Sequence, residues 1–519
     1  MDAADAADAR DARLGVDVGG TFTDVALVVD GELTTAKVPT TDDQSRGVLA
    51  GIEAACDAAG VDPDDVDSFR HATTAAVNAV LEGAGAETAL VTTDGFADAV
   101  AIGRQDRPDL YDLAASKLDP LVPSERRHEV DERAATEGIE RAVDPEEIRA
   151  LADAIDGTCE SVAVSFLHSY AHPDNERAAA RVLRAELDVP VSASHEVLAE
   201  FREYERTATT VADAYVGPVV DDYLARLDER AAETGLPPVA VMQSNGGIAD
   251  AETVRERAVT TLLSGPAAGV VGAARFERAD HAGLVTFDMG GTSSDVSLVR
   301  EGGAERTTDA AVGGHPVGVP MVDVHTVGAG GGSIARVDEG GALRVGPRSA
   351  GAEPGPACYG EGGDEPTVTD AAVVLGYLGA DTTLGEGLEL DADRAEAVMA
   401  ELADAAGLDT VIDAAQGVYR VANATMARAI RGVTVERGHD PREFALAAFG
   451  GAGPMHAATL ADRLGIGTVL VPPGNGVLSA LGLLAADERH ETTRTYRTSL
   501  ADCDPAAVES VFADLTDEA

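Results

Sequence analysis

A strand–turn–strand pattern that occurs twice in the chain constrains its fold more than any other feature. The first copy, VDVGGTFTDVALVV (16–29), places Asp17 in an apolar strand shortly before a Gly-Gly-Thr turn. The second copy, FDMGGTSSDVSLV (287–299), repeats the same order around Asp288. Two copies of one hairpin predict an internal duplication, in which two similar α/β domains face each other.

Each turn also has the chemistry of a phosphate site. Glycines expose backbone N–H groups with no side chain in the way, and an aspartate can hold hydrated Mg²⁺ against phosphate oxygens. A single such hairpin is usually a plain glycine turn, but two copies favour a nucleotide gripped from both sides of a cleft. Asp17 and Asp288 are the predicted metal-binding and catalytic aspartates. The predicted phosphate-binding residues are Gly19, Gly20, Thr21, Thr23, Gly290, Gly291, Thr292 and Ser293.

A third glycine motif, FGGAGP (449–454), follows an apolar strand and opens a helix. Glycines at such a junction let a planar base or a ribose approach the backbone. Taken alone, the motif could equally be a strand-to-helix turn without a ligand. In its order after the two hairpins it predicts the adenosine end of a nucleotide site, bordered by Gly450, Gly451 and Gly453.

The charge balance excludes several classes of partner. The chain has 519 residues and 39 basic against 91 acidic side chains, a net charge of −52. So acidic a surface disfavours binding to nucleic acid or to anionic membranes. Because 45% of the residues are hydrophobic, we expect a folded chain rather than a disordered one, kept in solution by concentrated salt. Only two basic residues, Lys37 and Lys117, are lysines.

Other features place the chain in the cytoplasm. The four cysteines form no CxxC pair, so we expect neither a disulfide framework nor a cysteine-bound metal. The acidic N-terminus lacks the apolar segment of a signal peptide, and no apolar run is long enough to span a membrane. The scattered histidines have no metal-ligand spacing.

The hydrophobic periodicity predicts further elements beside the hairpins. Residues 203–234 should form a long helix interrupted at Gly217-Pro218, where Pro218 removes a backbone donor and should kink or break the helix. Residues 126–150 should be a surface excursion or a boundary, and the glycine-rich stretch 326–366 should be loops. The remaining expectations are helices at 44–59, 173–187, 391–405 and 411–436, and strands at 162–167, 189–191 and 444–449.

Longer motifs run through nearly the whole chain. They are VDVGGTFTD (16–24), HATTAAVNAVLEGAGA (71–86), IGRQDRPDLYDL (102–113), EFREYERTATT (200–210), MQSNGG (242–247), LLSGPAAGVVGA (262–273), FDMGGTSSDVSLV (287–299), VDVHTVGAGGGSIA (322–335), AGAEPGPACYG (350–360), PTVTDA (366–371) and FGGAGPMHA (449–457). This set resembles the A subunits of the hydantoinase/oxoprolinase family, within the actin, sugar-kinase and heat-shock-chaperone ATPase superfamily. One departure is Ala72, where the family usually has glycine.

The resemblance implies a fold, a reaction and a partner. The fold would be two ribonuclease-H-like (actin-like ATPase) domains with a nucleotide cleft between them. The reaction would be ATP- and Mg²⁺-dependent opening of a cyclic amide such as a hydantoin or 5-oxoproline. The partner would be a separate B-type subunit, and an oligomeric assembly is expected. The implied domains are a disordered acidic tail (1–12), an N-terminal domain with the first hairpin (13–200), an ATPase domain with the second hairpin and the adenosine motif (201–490), and a truncated C-terminal segment (491–519).

Substrate-side residues are implied by the matching segments alone. They are His71, Thr73, Thr74, Arg104, Asp106, Arg107 and His325, of which His71, Arg104 and Asp106 are the catalytic candidates. A lone histidine is more often structural, and the arginines with Asp106 could equally form a surface ion-pair cluster. The glycine run 328–332 could be a hinge, a loop or a ligand clamp, and residues 265–269 are more simply a helix start than an anion site.

Three other functions remain open from the sequence. The same architecture resembles the ATP-using subunit of acetone carboxylase, so a ketone could be the substrate. A small-molecule kinase of the superfamily would keep a phosphorylated product. A non-catalytic, nucleotide-gated module would hydrolyse ATP without any stimulation by a cyclic amide.

Overall fold

The computed structural model describes residues 11–41, 43–112, 114–379, 383–384 and 388–519. The predicted acidic tail therefore lies almost wholly outside the described residues, although Ala12 already belongs to the first strand. Within the described part, no helix is long and apolar enough to cross a membrane, and the four cysteines are unpaired thiols.

The described chain contains both strands and helices, which alternate in some segments, whereas the ten strands between α9 and α10 follow one another. The strands are β1 (Ala12–Val18), β2 (Phe22–Val29), β3 (Glu32–Pro39), β4 (Ser68–Ala72), β5 (Thr88–Thr93), β6 (Arg127–Val130), β7 (Arg133–Ala135), β8 (Gly138–Arg141), β9 (Ser161–Ser165), β10 (Val191–Ala193), β11 (Val239–Met242), β12 (Ile248–Asp250), β13 (Leu284–Met289), β14 (Ser294–Arg300), β15 (Gly303–Ala304), β16 (Arg306–Thr307), β17 (Ala310–Val312), β18 (His315–Val317), β19 (Met321–Val322), β20 (His325–Val327), β21 (Ser333–Val337), β22 (Leu343–Ser349), β23 (Thr383–Leu384), β24 (Leu388–Glu389), β25 (Ala445–Phe449) and β26 (Val469–Leu470). The helices are α1 (Gln44–Ala59), α2 (Ala75–Glu82), α3 (Ala99–Ile102), α4 (Pro145–Ile155), α5 (Asp174–Glu186), α6 (Ser194–Val197), α7 (Glu203–Glu233), α8 (Ala251–Glu256), α9 (Ser264–Ala274), α10 (Val368–Val374), α11 (Ala392–Ala406), α12 (Val411–Val433), α13 (Gly453–Leu464), α14 (Leu478–Ala485) and α15 (Pro505–Glu518).

The first hairpin lies in a six-stranded sheet with the order β12-β11-β4-β1-β2-β3. Strands β1, β2 and β3 are antiparallel neighbours, whereas β4 runs parallel to both β1 and β11. Alternate residues of β1 face a core that joins Leu14 to Ile52 of α1 and Leu224 of α7. Burial of these apolar faces fixes the hairpin against the helices.

The second hairpin lies in a sheet with the order β15-β14-β13-β25-β26, to which β20 is added beside β14. Again the hairpin strands are antiparallel and the next two strands, β25 and β26, run parallel to the first. A separate core joins Phe287 of β13 to Met426 of α12 and Leu460 of α13. The predicted α/β class, with two similar halves and a cleft between them, is therefore confirmed.

Two helices join the halves. Helix α14 packs on α9 and also on β1, and the contacts are close because glycines stand where the backbones meet. A Cβ atom on Gly482 would lie 1.9 Å from the carbonyl oxygen of Ala268, and one on Gly15 would lie 2.2 Å from that of Ala480. No other residue fits at these positions.

The predicted break in the long helix is wrong. Helix α7 continues from Glu203 to Glu233 with Pro218 inside it. Interior proline costs about 3 kcal/mol. The helix nevertheless buries Tyr215, Tyr223 and Leu227 together with other apolar side chains. Each buried large side chain contributes about 1.5–3 kcal/mol, so the packing outweighs the proline.

Two other segments are more ordered than expected. Residues 126–150 were expected to be a surface excursion or a boundary, but they contribute β6 to a sheet of order β10-β9-β5-β6 and form α4. The few apolar residues of this segment, among them Val130 and Ile148, are buried in a core shared with β5, β9 and α5. The expectation of loops through 326–366 is wrong for β21 and β22, which pair with each other.

The domain limits stay predictions. The first sheet takes β1 to β4 from before residue 200 and β11 and β12 from after it. Helix α15 follows residue 491 and buries none of its side chains.

Candidate functional site

A cavity of about 730 Å³ lies between the two hairpins. Its wall includes Gly19, Gly20 and Thr21 of the first turn and all four residues of the second turn, 290–293. The turns face each other closely, because a Cβ atom on Gly291 would lie 3.6 Å from the hydroxyl oxygen of Thr21. Each turn is closed by one backbone hydrogen bond, Gly19 N–H to the Phe22 carbonyl and Gly290 N–H to the Ser293 carbonyl. The other N–H groups of the two turns, those of residues 20–21 and 291–293, have no acceptor among the described residues and are available to a ligand in the cavity.

The strands behind each turn carry a row of polar residues on one face of the sheet. In the first half, Asp17 of β1 is directly opposite Asp24 of β2, which is opposite Lys37 of β3. Directly opposed cross-strand residues point to the same side of a sheet. Asp17, Asp24 and Lys37 all line the cavity, and the Lys37 ammonium pairs with the Asp24 carboxylate.

The second half repeats this row with one difference. Asp288 of β13 is opposite Asp295 of β14, and Asp295 is opposite Thr326 of β20. The Thr326 hydroxyl donates to the Asp295 carboxylate at 2.6 Å. A neutral hydroxyl therefore stands where the first half has an ammonium group.

Acidic side chains outnumber basic ones in the cavity wall. Six aspartates line it, against Lys37 and Arg437 as permanent cations, and Arg437 is already paired with Asp323. Burial, and then the charge of Asp24, raise the pKa of Asp17 to about 7, with Lys37 acting in the opposite direction. Burial and neighbouring aspartates raise the pKa of Asp288 well above its ordinary value. A polyphosphate could enter such a site only with cations that offset these carboxylates.

The residues present suit a hydrated divalent cation. The Oδ1 atom of Asp17 is buried and has no hydrogen-bond partner among the described residues. Asp17 also lines the cavity, and a carboxylate oxygen without a partner beside a polar cavity is a natural ligand for a metal or for its water. Across the described chain, no group of three or more His, Cys, Asp or Glu residues could hold a metal by itself. Mg²⁺ normally keeps several waters and binds only one or two carboxylates, so one or two aspartates of the cavity are enough to hold it.

The third glycine motif borders the same cavity through two of its three glycines. Gly450 and Gly451 line the wall, whereas Gly453 packs behind β13, where a Cβ atom would lie 3.3 Å from the Phe287 carbonyl oxygen. Gly450 has a φ of +78°, and a Cβ atom there would lie 2.1 Å from the Oδ1 atom of Asp288. Only glycine satisfies both conditions.

The start of α9 also reaches the cavity. Ser264, Gly265 and Pro266 line it, and a Cβ atom on Gly265 would lie 3.0 Å from the Oδ1 atom of Asp17. Leu263, just before the helix, has a φ of +65°, which is costly for a residue with a side chain. The segment 265–269 does begin a helix as expected, and it also brings the positive end of that helix to the site.

The glycine run 328–332 supports the second turn from behind. The N–H groups of Gly331 and Gly332 donate to the carbonyl oxygens of Gly290 and Gly291 at 3.0 and 2.6 Å. A Cβ atom on Gly330 would lie 2.5 Å from the carbonyl carbon of Thr292. None of the glycines in this run is part of the cavity wall.

The structure brings only some of the substrate-side candidates to the cavity. Thr73, Thr74 and His325 line it. His71 does not line the cavity, because it is fully buried in β4, the strand next to β1. Its ring nitrogens contact the Val16 carbonyl oxygen at 3.0 Å and the Tyr223 hydroxyl at 2.7 Å, and burial lowers its pKa to about 4.

The remaining candidates lie apart from the cleft wall. Arg104, Asp106 and Arg107 are exposed on the loop after α3. Arg104 pairs with Glu205 at 2.5 Å, and Asp106 with Lys117 at 3.4 Å. Thr23 is buried under the first turn, 3.4 Å from the Thr40 hydroxyl. The roles assigned to these residues stay predictions.

The sequence analysis did not single out several charged residues of the cavity wall, of which Asp24, Asp295, Lys37 and Arg437 matter most here. The first two had a visible signal, since each is the second aspartate of a D-x-G-G-T-x-x-D motif. The two cations had none, because their position depends on strand register and on contacts with distant segments.

Comparison with known proteins gives consistent matches along the chain. A family model described as hydantoinase/oxoprolinase matches residues 206–492, and one described as hydantoinase/oxoprolinase N-terminal region matches residues 13–187. An uncharacterized protein of Methanocaldococcus jannaschii is 41% identical over 98% of this chain and 77% of its own length. The caprolactamase alpha subunit of Pseudomonas jessenii is 40% identical over 94% of this chain and 72% of its own.

Two solved structures are also similar. The crystal structure of the ATP-dependent caprolactamase of Pseudomonas jessenii matches with a TM-score of 0.85 and 38% identity, over 98% of this chain and 75% of that one. A nucleotide-free acetone carboxylase matches with a TM-score of 0.80 and 29% identity, over 98% of this chain and 76% of that one.

Proposed function

The chain belongs to the hydantoinase/oxoprolinase family, and we propose that it is the ATP-binding subunit of an ATP-dependent cyclic amide hydrolase. The observation that carries this proposal is the pair of opposed hairpins, each with its glycine turn and its aspartates, around one cavity. The caprolactamase, which is named as ATP-dependent and as having an alpha subunit, supports both the use of ATP and a partner subunit.

The proposed reaction overcomes the stability of the amide bond. The lactam carbonyl oxygen attacks the γ-phosphorus, the bond from the γ-phosphorus to the bridging oxygen breaks, and ADP leaves. Water then adds to the activated carbon. The C–N bond opens with a proton delivered to nitrogen, which leaves an acyl phosphate. A second water then attacks the acyl carbon, and the phosphate leaves with the former carbonyl oxygen, so that a carboxylate and an amine are the products. Hydrolysis of ATP thereby drives an opening that water alone achieves slowly.

The chain's own residues would supply positioning and charge. The N–H groups of residues 20–21 would hold phosphate oxygens from one side, and those of residues 291–293 from the other. Gly19 and Gly290 would contribute by closing the two turns. Asp17 and Asp288 would orient the water shell of Mg²⁺, which when bound offsets the phosphate charge and the cavity aspartates. Gly450 and Gly451 would border the adenosine.

A substrate position follows from the same geometry. Thr73, Thr74 and His325 are the candidates from the matching segments that line the cavity. Thr73 is linked to the start of α9, since the Ser264 hydroxyl donates to its carbonyl oxygen at 3.0 Å. We propose that the amide ring lies on this side of the hairpins. His71 would support the floor of the site rather than touch the substrate.

We also propose that the protein works in the cytoplasm of a salt-rich cell, with a B-type subunit as its partner. The net charge of −52 supports the first point, because screening by salt relieves the self-repulsion of such a surface.

The test is phosphate release from Mg-ATP in concentrated salt, across a panel of cyclic amides and with the candidate partner subunit present. We expect release that one amide stimulates, with one ring-opened molecule per phosphate. Phosphorylated product without ring opening would support a kinase, and unstimulated ATP hydrolysis would support a nucleotide-gated module.

A ketone carboxylase is the second candidate, and the similarity to acetone carboxylase favours it. The same assay with ketones and bicarbonate separates the two. Stimulation by a ketone with bicarbonate, and by no cyclic amide, would replace the proposed substrate class.

A further inference from the structure

Lys37 is the unusual basic residue of this chain. The sequence has 39 basic residues, of which only Lys37 and Lys117 are lysines. One of the two is inside the cleft, at the end of the row Asp17–Asp24–Lys37. Lysine is a compact point charge suited to phosphate, whereas arginine offers a wide planar fork.

The ammonium group has bonding capacity left for a ligand. It pairs with Asp24, lies 5.1 Å from the centre of the Phe22 ring, and lies 3.5 Å from the Gly476 carbonyl oxygen. A lysine ammonium has three donors, and the Asp24 carboxylate and the Gly476 carbonyl oxygen take two of them, so one donor is left for a ligand. The exposed fraction of the Lys37 side chain is 30%, against 18% for its partner Asp24, so the lysine is the more accessible of the two.

The second half of the pseudo-symmetric site has no equivalent cation. Thr326 takes the corresponding position beside Asp295, and Arg437 is held by Asp323. The halves are therefore chemically different, although their hairpins are alike. Arg437 lines the cavity, but both of its terminal nitrogens bind the Asp323 carboxylate. A cation that keeps a donor for a ligand on the first side alone gives the bound phosphate chain a direction.

The direction follows from the proposed position of the adenosine. Gly450 and Gly451 belong to the second half, since Gly450 packs against Asp288. With the nucleoside on that side, the phosphate chain extends toward the first half. Its terminal group is then the one nearest to Lys37.

We propose that Lys37 contacts the terminal phosphoryl group of the bound nucleotide and offsets the charge of that group during transfer, an inference that rests on the proposed function. Asp24 holds the ammonium in place before the nucleotide arrives. Lys37 is thus a catalytic residue of the first half, with no counterpart in the second.

The test compares the affinities for Mg-ADPNP, which has a terminal phosphoryl group, and for Mg-ADP, which lacks it. The variant is K37M, and K117M is the matched control because it removes the same charge from the exposed loop. We expect K37M to bind Mg-ADPNP about 10- to 100-fold more weakly, the value of one charged hydrogen bond. Affinity for Mg-ADP should change less than about threefold, and K117M should bind both as the wild type does.

A double variant separates contact from support. K37M alone leaves the Asp24 charge without its partner, which could disturb the hairpin, whereas D24N/K37M keeps the pair neutral. We expect D24N/K37M to show the same selective loss of Mg-ADPNP affinity. Wild-type affinity in D24N/K37M would overturn the inference, because Lys37 would then only neutralise Asp24.

Two further outcomes would also overturn it, and they are distinguishable. Equal weakening of both nucleotides by K37M would mean that Lys37 only braces the first hairpin against the loop at Gly476, and the proposed function would stand. A wild-type protein that binds neither nucleotide would remove the proposed function and this inference together.

Discussion

Gly450→Ala is expected to disrupt the nucleotide site while leaving the fold intact. Gly450 has a φ of +78°, and an added Cβ atom would lie 2.1 Å from the Asp288 Oδ1 atom and 2.6 Å from the Met289 carbonyl oxygen. The Asp288 carboxylate must therefore move, or the backbone of the glycine motif must withdraw from it. Either change alters the proposed metal position.

The magnitude has two parts. A left-handed backbone costs alanine roughly 1–2 kcal/mol, and forcing an extra methyl group into a packed site costs about 1–3 kcal/mol. The variant should lose about 2–5 kcal/mol of unfolding free energy as the sum of these effects. Displacement of one metal-orienting carboxylate should weaken Mg-nucleotide binding by about 10- to 100-fold.

Gly407→Ala is the matched control. Gly407 ends α11 with a φ of +64°, and no heavy atom of the described residues lies within 4 Å of the position of its Cβ atom. It carries the same backbone strain without a contact in the cleft. Unfolding by denaturant gives the stability of both variants, and nucleotide titration gives their affinities. Wild-type affinity in Gly450→Ala, or an equal loss in Gly407→Ala, would refute the reasoning.

Three other predictions concern the site and its surroundings. Asp17→Asn and Asp288→Asn should each abolish Mg²⁺-dependent ATP turnover while leaving the circular dichroism spectrum unchanged, and full turnover in both would remove the metal assignment. Burial raises the pKa of Asp213 in α7 to about 6 from 3.8, so the wild type should lose about 3 kcal/mol of unfolding free energy relative to Asp213→Asn as the pH rises from about 4 through 6. The reason is that burial disfavours the charged form of Asp213 in the folded protein, and Asn carries no charge at any pH. A difference in unfolding free energy between the two proteins that does not change with pH would contradict this prediction. The midpoint of thermal unfolding should rise with KCl concentration because of the net charge of −52, and a midpoint independent of salt would argue against screening.

The hairpins could be predicted because their information is local. Asp17 and Asp288 each lie beside a Gly-Gly-Thr turn between apolar strands. The alternation of apolar residues in a strand and the residue types of a turn can both be recognised within a dozen residues. The adenosine motif at Gly450 could be predicted for the same reason, because its glycines directly follow an apolar strand. Gly453, two residues beyond Gly451, lies behind β13 and away from the cavity. Its position is set by where α13 begins, which the local sequence does not show.

The rest depends on register and burial. Lys37 reaches the cleft because β3 pairs with β2 in one register, and a slip by one residue would turn it to the other face. His71 lies in a matching motif, yet strand alternation buries it toward Tyr223. Pro218 predicted a break that the packing of α7 overrides. None of these outcomes is visible within a single local segment.

The central claim is that both hairpins close on one metal–nucleotide complex, and a crystal structure with Mg²⁺ and ADPNP tests it most directly. We expect phosphate oxygens within hydrogen-bonding distance of the N–H groups of both turns, those of residues 20–21 and 291–293, with the metal between Asp17 and Asp288. A nucleotide bound outside this cavity, or held by one turn alone, would contradict the account.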